Sequence, residues 1–222
     1  MNCAVEDAYF EIVQKGEGIN KNKIGFRNYI GGLCGYSKDS INVNNCYVNH
    51  CVILSNLDNY NGNYGYQIET HVIGGLVGCT DDKAKVAYCY ANVAIDTNVD
   101  DTVFSIPAAR LGGLVGMANV EKVSVKNCIA QFLPLDNLNG GEMSLSNLFN
   151  YLGDIEDIST AISNLYYIAT EIEFDKQDVD LASNAITKGD LSNIFLRNLG
   201  FNGSIWSVVD GEIRFNIIRN YK

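Results

Sequence analysis

A glycine-rich hexapeptide that recurs three times constrains this chain more than any other feature. It occupies residues 30–35 (IGGLCG), 73–78 (IGGLVG) and 111–116 (LGGLVG). A cysteine follows each copy at nearly the same distance, from Gly35 to Cys46, from Gly78 to Cys89 and, one position longer, from Gly116 to Cys128. This nearly regular recurrence predicts stacked structural units.

The segments between the hexapeptides have the pattern of β-strands. Residues 41–44 (INVN) and 123–126 (VSVK) alternate apolar and polar side chains, which indicates strands with one buried face. Helical repeats of similar length would show the longer period of an α-helix instead. The sequence therefore predicts an all-β fold, a parallel β-helix (β-solenoid), which the handedness of parallel connections makes right-handed.

The pattern predicts one domain, residues 1–222. A lead-in over 1–29, with a strand near 8–13, precedes the repeats at 30–168, and a cap follows at 189–222. A degenerate fourth repeat is predicted where residues 149–153 replace the hexapeptide and Asn164-Leu165-Tyr166 replaces the Asn-Cys-Tyr element.

The recurring residues are predicted to hold the stack together. Glycine permits unusual backbone angles and sharp turns with no side chain in the way. Leu33, Leu76 and Leu114 should form one interior ladder and the cysteines another, while Asn45, Asn127 and Asn164 should stack at a turn. The residues given this structural role are Gly31, Gly32, Gly35, Gly74, Gly75, Gly78, Gly112, Gly113, Gly116, Cys46, Cys89 and Cys128.

The C-terminal region predicts a short helix and a hairpin that cap the end of the stack. Asp190 is the expected N-cap, and Gly200 is the expected stop. Asp210-Gly211 is a hairpin signal, and the only tryptophan, Trp206, lies just before it. The predicted apolar stripe of the helix is Leu191, Ile194, Phe195 and Leu199.

Charge and cysteine content disfavour several classes of partner. The net charge of −10 argues against nucleic acid. No apolar run is long enough to span a bilayer, so no membrane insertion is predicted, and the first residues lack the features of a signal peptide. The seven cysteines cannot all pair internally. Buried thiols are the favoured interpretation, with a disulfide or a metal cluster as the alternatives.

The hexapeptide followed by Asn-Cys-Tyr resembles the GLUG motif, over residues 30–133 and more weakly over 149–168. Residues 199–211 resemble the segment that closes such arrays. GLUG repeats occur in bacterial surface and secreted proteins, including regions beside immunoglobulin A1-specific metallopeptidase domains. The resemblance implies a non-catalytic repeat module, an adhesin-like binding module or a spacer, at the cell surface or secreted. It supplies no catalytic residues.

The sequence contains no recognisable catalytic or metal-binding motif, so a non-enzyme without cofactor or metal is expected. The two histidines, His50 and His71, are far apart in sequence and form no HExxH motif. The acidic segment 96–101 lacks the glycine and glutamate of an EF-hand. The alternative is a carbohydrate-active β-helix enzyme that uses outer-face carboxylates. Its candidates are Asp81 and Asp82, Asp100 and Asp101, and Asp154, Glu156 and Asp157.

A tyrosine-rich insertion at 54–69 is the predicted binding segment. Tyr60, Tyr64 and Tyr66 stand among asparagines and glycines. Such rings and amides suit a host protein or a glycan, and a structural loop packed on the wall of the stack is the alternative.

Overall fold

The computed structural model describes residues 2–15, 28–58, 71–98, 109–118, 123–134, 144–146, 149–151, 162–168 and 184–216. The lead-in contains β1 (Ala4–Glu6) and β2 (Tyr9–Lys15). Repeat 1 contains β3 (Asn28–Gly31), β4 (Cys34–Ser37), β5 (Ile41–Asn44) and β6 (Tyr47–Asp58). Repeat 2 contains β7 (His71–Gly74), β8 (Val77–Thr80), β9 (Ala84–Ala87) and β10 (Tyr90–Asn98).

Repeat 3 contains β11 (Ala109–Gly112), β12 (Val115–Ala118) and β13 (Val123–Pro134). Repeat 4 contains β14 (Ser144–Ser146), β15 (Phe149–Tyr151) and β16 (Ile162–Ile168). After β17 (Asn184–Ile186) come a 3-10 turn (Lys188–Asp190), helix α1 (Asn193–Asn198), β18 (Trp206–Val209) and β19 (Glu212–Phe215). We call residues 187–216 the C-terminal unit.

Three parallel sheets run through the repeats. One sheet has the order β14-β11-β7-β3 and a second has β15-β12-β8-β4. The third, with nine strands, follows β1-β6-β10-β13-β16-β17, with β2 beside β6 and β5 beside β9. Among the described strands, only the β18–β19 hairpin is antiparallel. The predicted all-β class and the parallel pairing of strands from successive repeats are confirmed.

Equivalent residues of successive repeats lie side by side. Val43 pairs with Val86, and Val86 stands opposite Val125 on the other side. All three are buried, because period-2 alternation turns every second side chain inward. The main hydrophobic core lies between the sheets and is built from such residues.

The fourth repeat exists, but its predicted alignment at the hexapeptide was three positions out. Ser146 pairs with Gly112 and Tyr151 pairs with Met117, so Asn150, and not Gly153, corresponds to Gly116. The sequence alignment assumed the same distance from hexapeptide to cysteine as in repeat 3. Repeat 4 is longer there. After this longer segment the predicted alignment is confirmed, because Leu165 pairs with Cys128 as the sequence predicts.

The lead-in pairs with repeat 1. β1 and β2 both lie parallel to β6, and the predicted strand near 8–13 is β2. Strand β6 continues to Asp58 and β10 to Asn98, so the segments predicted as an insertion from residue 54 and a connector from residue 96 begin later. Their polar residues stay in strands because backbone hydrogen bonds to neighbouring strands do not depend on the side chain.

The C-terminal helix begins later than predicted. Ser192 is the N-cap of α1, and its hydroxyl accepts a hydrogen bond from the Phe195 N–H. The Asp190 carboxylate instead accepts a hydrogen bond from the Thr187 N–H in the preceding 3-10 turn. Ile194 is 66% exposed, so it does not belong to the buried stripe, whereas Leu196 is buried.

The predicted helix end at Gly200 and the predicted hairpin turn at Asp210-Gly211 are both confirmed. Gly200 has φ +84°, and the N–H of Phe201 bonds the carbonyl of Leu196, which is a Schellman ending. Asp210 and Gly211 have φ +54° and +75° at the hairpin turn, as a type I′ turn requires.

The C-terminal unit lies along the side of the repeats and not across their end. It forms a second hydrophobic cluster with Tyr47, Tyr90 and Ile129, one residue from each of repeats 1 to 3. The prediction of an end cap was wrong in this respect. The reason is that Tyr47, Tyr90 and Ile129, which follow the repeat cysteines, point away from the main core. They form an apolar column on the outside of the sheet, and the C-terminal unit packs on this column.

Candidate functional site

The predicted binding tyrosines, Tyr60, Tyr64 and Tyr66, lie outside the described residues, as do Asp100, Asp101, Asp154, Glu156 and Asp157. The structure describes the candidate carboxylates Asp81 and Asp82 and the recurring residues of the repeat. The recurring residues form three columns that run from repeat to repeat: a glycine seam, a thiol column and a left-handed column.

The glycine seam is where two sheets touch backbone to backbone. A Cβ at Gly31 would stand 2.2 Å from the carbonyl oxygen of Cys34, and one at Gly74 would stand 1.9 Å from that of Val77. A Cβ at Gly78 would meet the Ile30 oxygen of the other sheet at 2.7 Å and the Gly35 carbonyl oxygen of its own sheet at 2.4 Å. The seam therefore leaves no room for side chains at these positions of the hexapeptide.

Space, and not backbone angle, requires these glycines. Gly32 and Gly75 also lack room, with carbonyl oxygens of the next repeat at 2.5 and 2.1 Å from an added Cβ. No left-handed φ occurs at Gly31, Gly32, Gly74, Gly75 or Gly78. The prediction that these glycines supply unusual backbone angles was therefore wrong. They are required because the chain bends where there is no space for a side chain.

The thiol column contains four cysteines, one more than the repeat predicts. The backbone N–H groups of Tyr47, Tyr90 and Ile129 bond the carbonyls of Cys3, Cys46 and Cys89 at 2.9–3.0 Å. Cys3 thus occupies the lead-in position that corresponds to Cys46. The sequence signal was available, since Asn2-Cys3 matches Asn45-Cys46 and Asn127-Cys128.

Each buried thiol makes the same local hydrogen bond. The Sγ–H groups of Cys46, Cys89 and Cys128 donate to the carbonyl two positions earlier, at 3.4, 3.1 and 3.3 Å. Leu165 takes this position in repeat 4. All seven cysteines are thiols and not disulfides, and cysteine serves here as a small buried hydrophobe with a weak donor.

The thiol environment suppresses reactivity. The neighbouring Cys89 thiol and, to a smaller extent, burial raise the pKa of Cys46. Burial raises the pKa of Cys89 well above its usual range, with the neighbouring Cys128 thiol adding to the shift. Because the thiolate is the nucleophile, these thiols are not set up for catalysis.

The left-handed column immediately precedes the thiol column. The residue just before the thiol position has φ between +51° and +54° in every repeat. Asparagine tolerates this conformation, and a bulky residue there is an outlier. The Asn164 amide donates to Asn127 Oδ1 at 2.9 Å, the kind of ladder that the sequence predicts. The members are Asn45, Tyr88, Asn127 and Asn164.

The candidate carboxylates at the turn after β8 bond hydroxyl groups of repeat 1. Tyr36 Oη donates to Asp81, and Ser40 Oγ donates to Asp82 at 3.5 Å. The hydrogen bond to the Asp81 carboxylate raises the pKa of Tyr36 to about 12. Tyr36 also stacks on Tyr29, with ring centroids 5.0 Å apart.

His50 sits on a bulge. Its φ is +53°, and the register between β6 and β10 shifts at this point. Its Nδ1 lies 3.2 Å from Asn49 Nδ2 and 3.6 Å from Asp7 Oδ1. Cys51 is buried while His50 is exposed, so the two side chains face opposite ways. His71 lies in β7.

A cleft between the nine-stranded sheet and the C-terminal unit was not predicted. Its floor contains Asn49, Asn92 and Gln131, all more than nine-tenths buried. Asn92 Nδ2 donates to Asn49 Oδ1 at 2.9 Å, and Tyr90 Oη donates to Gln131 Oε1 at 3.4 Å. The empty space is about 280 Å³, including the open mouth.

The cleft is lined by these buried amide side chains and by two side chains of opposite charge, Lys188 and Glu212. Such a set can order water. In sequence these amides look like outward strand positions, and only the placement of the C-terminal unit over them makes them a cleft.

Within the described ranges, no group of three or more histidine, cysteine and acidic side chains is arranged to hold a metal ion. The described helices include none with the length and apolar character needed to cross a membrane. No protein-family model, curated protein or solved structure matches the chain.

Proposed function

We propose that the chain is a non-catalytic β-solenoid repeat module, in which each repeat is one turn of a right-handed coil and the module serves as a spacer. The observation that carries this proposal is the use of the recurring residues. Close backbone contacts leave no room for a side chain at the hexapeptide glycines of repeats 1 and 2 or at Gly116. The recurring thiols are buried and hydrogen-bonded. A motif used in this way holds neighbouring repeats together.

The biological context is proposed from the resemblance to GLUG repeats, which suggests a module of a bacterial surface or secreted protein. A host protein or a glycan is the proposed partner if the module also binds. The Tyr60, Tyr64 and Tyr66 segment would then be the contact surface, because its rings and amides have the appropriate chemistry.

A glycan array and a panel of host surface proteins separate spacer from adhesin. For a spacer, we expect no signal above that of an unrelated acidic protein. Reproducible binding that disappears in a Tyr60→Ala, Tyr64→Ala, Tyr66→Ala variant would replace the spacer role by an adhesin role. The matched control is Tyr9→Ala with Tyr36→Ala, since these rings are 59% and 42% exposed elsewhere on the module.

The enzyme alternative has its own test. The purified protein is incubated with a panel of acidic and neutral polysaccharides, and new reducing ends and unsaturated products are measured. We expect neither. Turnover that falls at least a hundredfold in Asp81→Asn or Asp82→Asn would overturn the non-catalytic assignment, since a carboxylate in catalysis contributes on the order of 10²–10⁴-fold.

A further inference from the structure

The C-terminal unit contacts all four repeats. The Phe195 ring meets Tyr166 of repeat 4 at a centroid distance of 5.2 Å. Phe201 meets Tyr88 of repeat 2 at 6.0 Å. Ile129 of repeat 3 belongs to the same buried cluster. With Tyr47 of repeat 1 in that cluster as well, the unit touches every repeat within one continuous apolar surface.

The described ring contacts and hydrogen bonds of the C-terminal unit are most numerous with repeat 1, the repeat farthest from the point where the chain leaves the sheet. Tyr47 of repeat 1 stacks on Phe215 at 5.7 Å and meets Trp206 edge-on at 5.9 Å. Tyr47 Oη also donates to the Ile213 carbonyl at 3.2 Å. Trp206 Nε1 donates to Asn45 Oδ1 at 3.3 Å.

The path of the chain explains this arrangement. β17 continues the nine-stranded sheet beyond repeat 4, and the chain then turns back along the side of the sheet until Phe215 reaches repeat 1. Repeats 1 and 4 are three strand spacings apart, about 14 Å. The contacts of the C-terminal unit therefore join repeats that are not neighbours.

We propose that the C-terminal unit is a lateral clasp that makes the four repeats open as one cooperative unit. A repeat array in which each member touches only its neighbours can open from one end, repeat by repeat. Here Tyr47, Phe201 and Trp206 are at most 2% exposed. Opening of either end repeat exposes part of this shared cluster, and release of the unit removes contacts from every other repeat.

The thiol column supplies one reporter for each of repeats 1 to 3. Cys46, Cys89 and Cys128 are at most 2% exposed, so each becomes reactive only when its own repeat opens. Pulsed alkylation of the full chain across a urea series, followed by mass spectrometry of the peptides, gives one midpoint for each repeat. The wild-type protein is expected to show the same midpoint at all three thiols.

A matched pair of variants tests the role of the clasp. Phe201→Asp places a charge in the buried face, whereas Ile194→Asp places the same charge at a side chain that is 66% exposed. We expect Phe201→Asp to separate the three midpoints by about 0.5 M urea or more. Ile194→Asp is expected to leave them together. If Phe201→Asp fails to fold, Phe201→Ala takes its place with the same expectation.

Three results would overturn the proposal. The first is a wild-type protein whose thiols already open at different urea concentrations. The second is a Phe201 variant that lowers all midpoints but keeps them together, because the repeats would then be coupled without the clasp. The third is an Ile194→Asp variant that separates the midpoints as widely as the Phe201 variant does.

Discussion

Replacing Gly78 by alanine perturbs the glycine seam at a position where each of the three nearest atoms is a backbone atom. The new Cβ would stand 2.4 Å from the Gly35 carbonyl oxygen and 2.7 Å from both the nitrogen and the oxygen of Ile30. All three atoms belong to the backbone, so no side chain can rotate away. The strand of Gly78, β8, is itself hydrogen-bonded to β4 and β12.

The cost follows from these contacts. Relief of the clash requires β8 to move by roughly 1 Å both from β4 in its own sheet and from β3 in the next sheet. Overpacking of this kind costs about 1–3 kcal/mol. The movement would weaken one or two backbone hydrogen bonds, at about 1 kcal/mol each. Alanine recovers about 0.4–1 kcal/mol by restricting the unfolded chain. We expect Gly78→Ala to lower the free energy of unfolding by about 3 kcal/mol.

The assay is equilibrium urea unfolding followed by far-ultraviolet circular dichroism. Gly203→Ala is the matched control, because nothing lies within 4 Å of its Cβ position, and its effect should stay within about 0.5 kcal/mol. Gly116→Ala should fall between them, since its nearest contact is 2.7 Å. If Gly78→Ala proves as stable as Gly203→Ala, the close backbone contacts described at Gly78 are wrong.

Three further predictions follow from the other columns and the C-terminal unit. A thiol reagent at mildly alkaline pH should modify Cys3 and Cys34 first, because these two are partly exposed and the other five are buried; fast reaction of Cys89 in the native protein would contradict the thiol column. Tyr88→Ala should destabilise the protein by about 1 kcal/mol more than Tyr88→Asn, because both lose the ring but only asparagine suits φ +53°; equal urea midpoints would refute this. The backbone N–H and hydroxyl of Thr187 lower the pKa of Asp190, so its contribution to stability is present above pH ~4 and is lost as the pH falls through the folded-state pKa. The stability difference between wild type and Asp190→Asn should therefore shrink on acidification, and a difference that grows towards low pH would contradict the sign.

The spacing of the glycines and cysteines was enough to predict that equivalent strands of successive repeats pair in parallel. Period-2 runs such as Ile41–Asn44 indicated the strands, and the recurrence of the hexapeptide indicated their parallel pairing. The regular step failed in repeat 4, where Asn150 and not Gly153 takes the position of Gly116. A step inferred from earlier repeats cannot detect a local change in length.

The placement of the C-terminal unit could not be predicted from local patterns. Its helix stop at Gly200 and its hairpin at Asp210-Gly211 are local signals, and both were found. Which surface the unit covers depends on contacts between Trp206 or Phe215 and Tyr47, which lies near the other end of the sequence. The amide cleft at Asn92 and Gln131 was missed for the same reason, because it is created by that placement.

The parallel register of the repeats is tested most directly by methyl contacts among Val43, Val86 and Val125. Val86 pairs with Val43 on one side and stands opposite Val125 on the other, while Val43 and Val125 are two strand spacings apart, roughly 9.6 Å. The measurement is a methyl nuclear Overhauser spectrum of valine-labelled protein, with each signal assigned by substitution to alanine. We expect strong cross-peaks from Val86 to both partners and none between Val43 and Val125. A direct cross-peak between Val43 and Val125, or none from Val86, would contradict the stacking on which the proposed function rests.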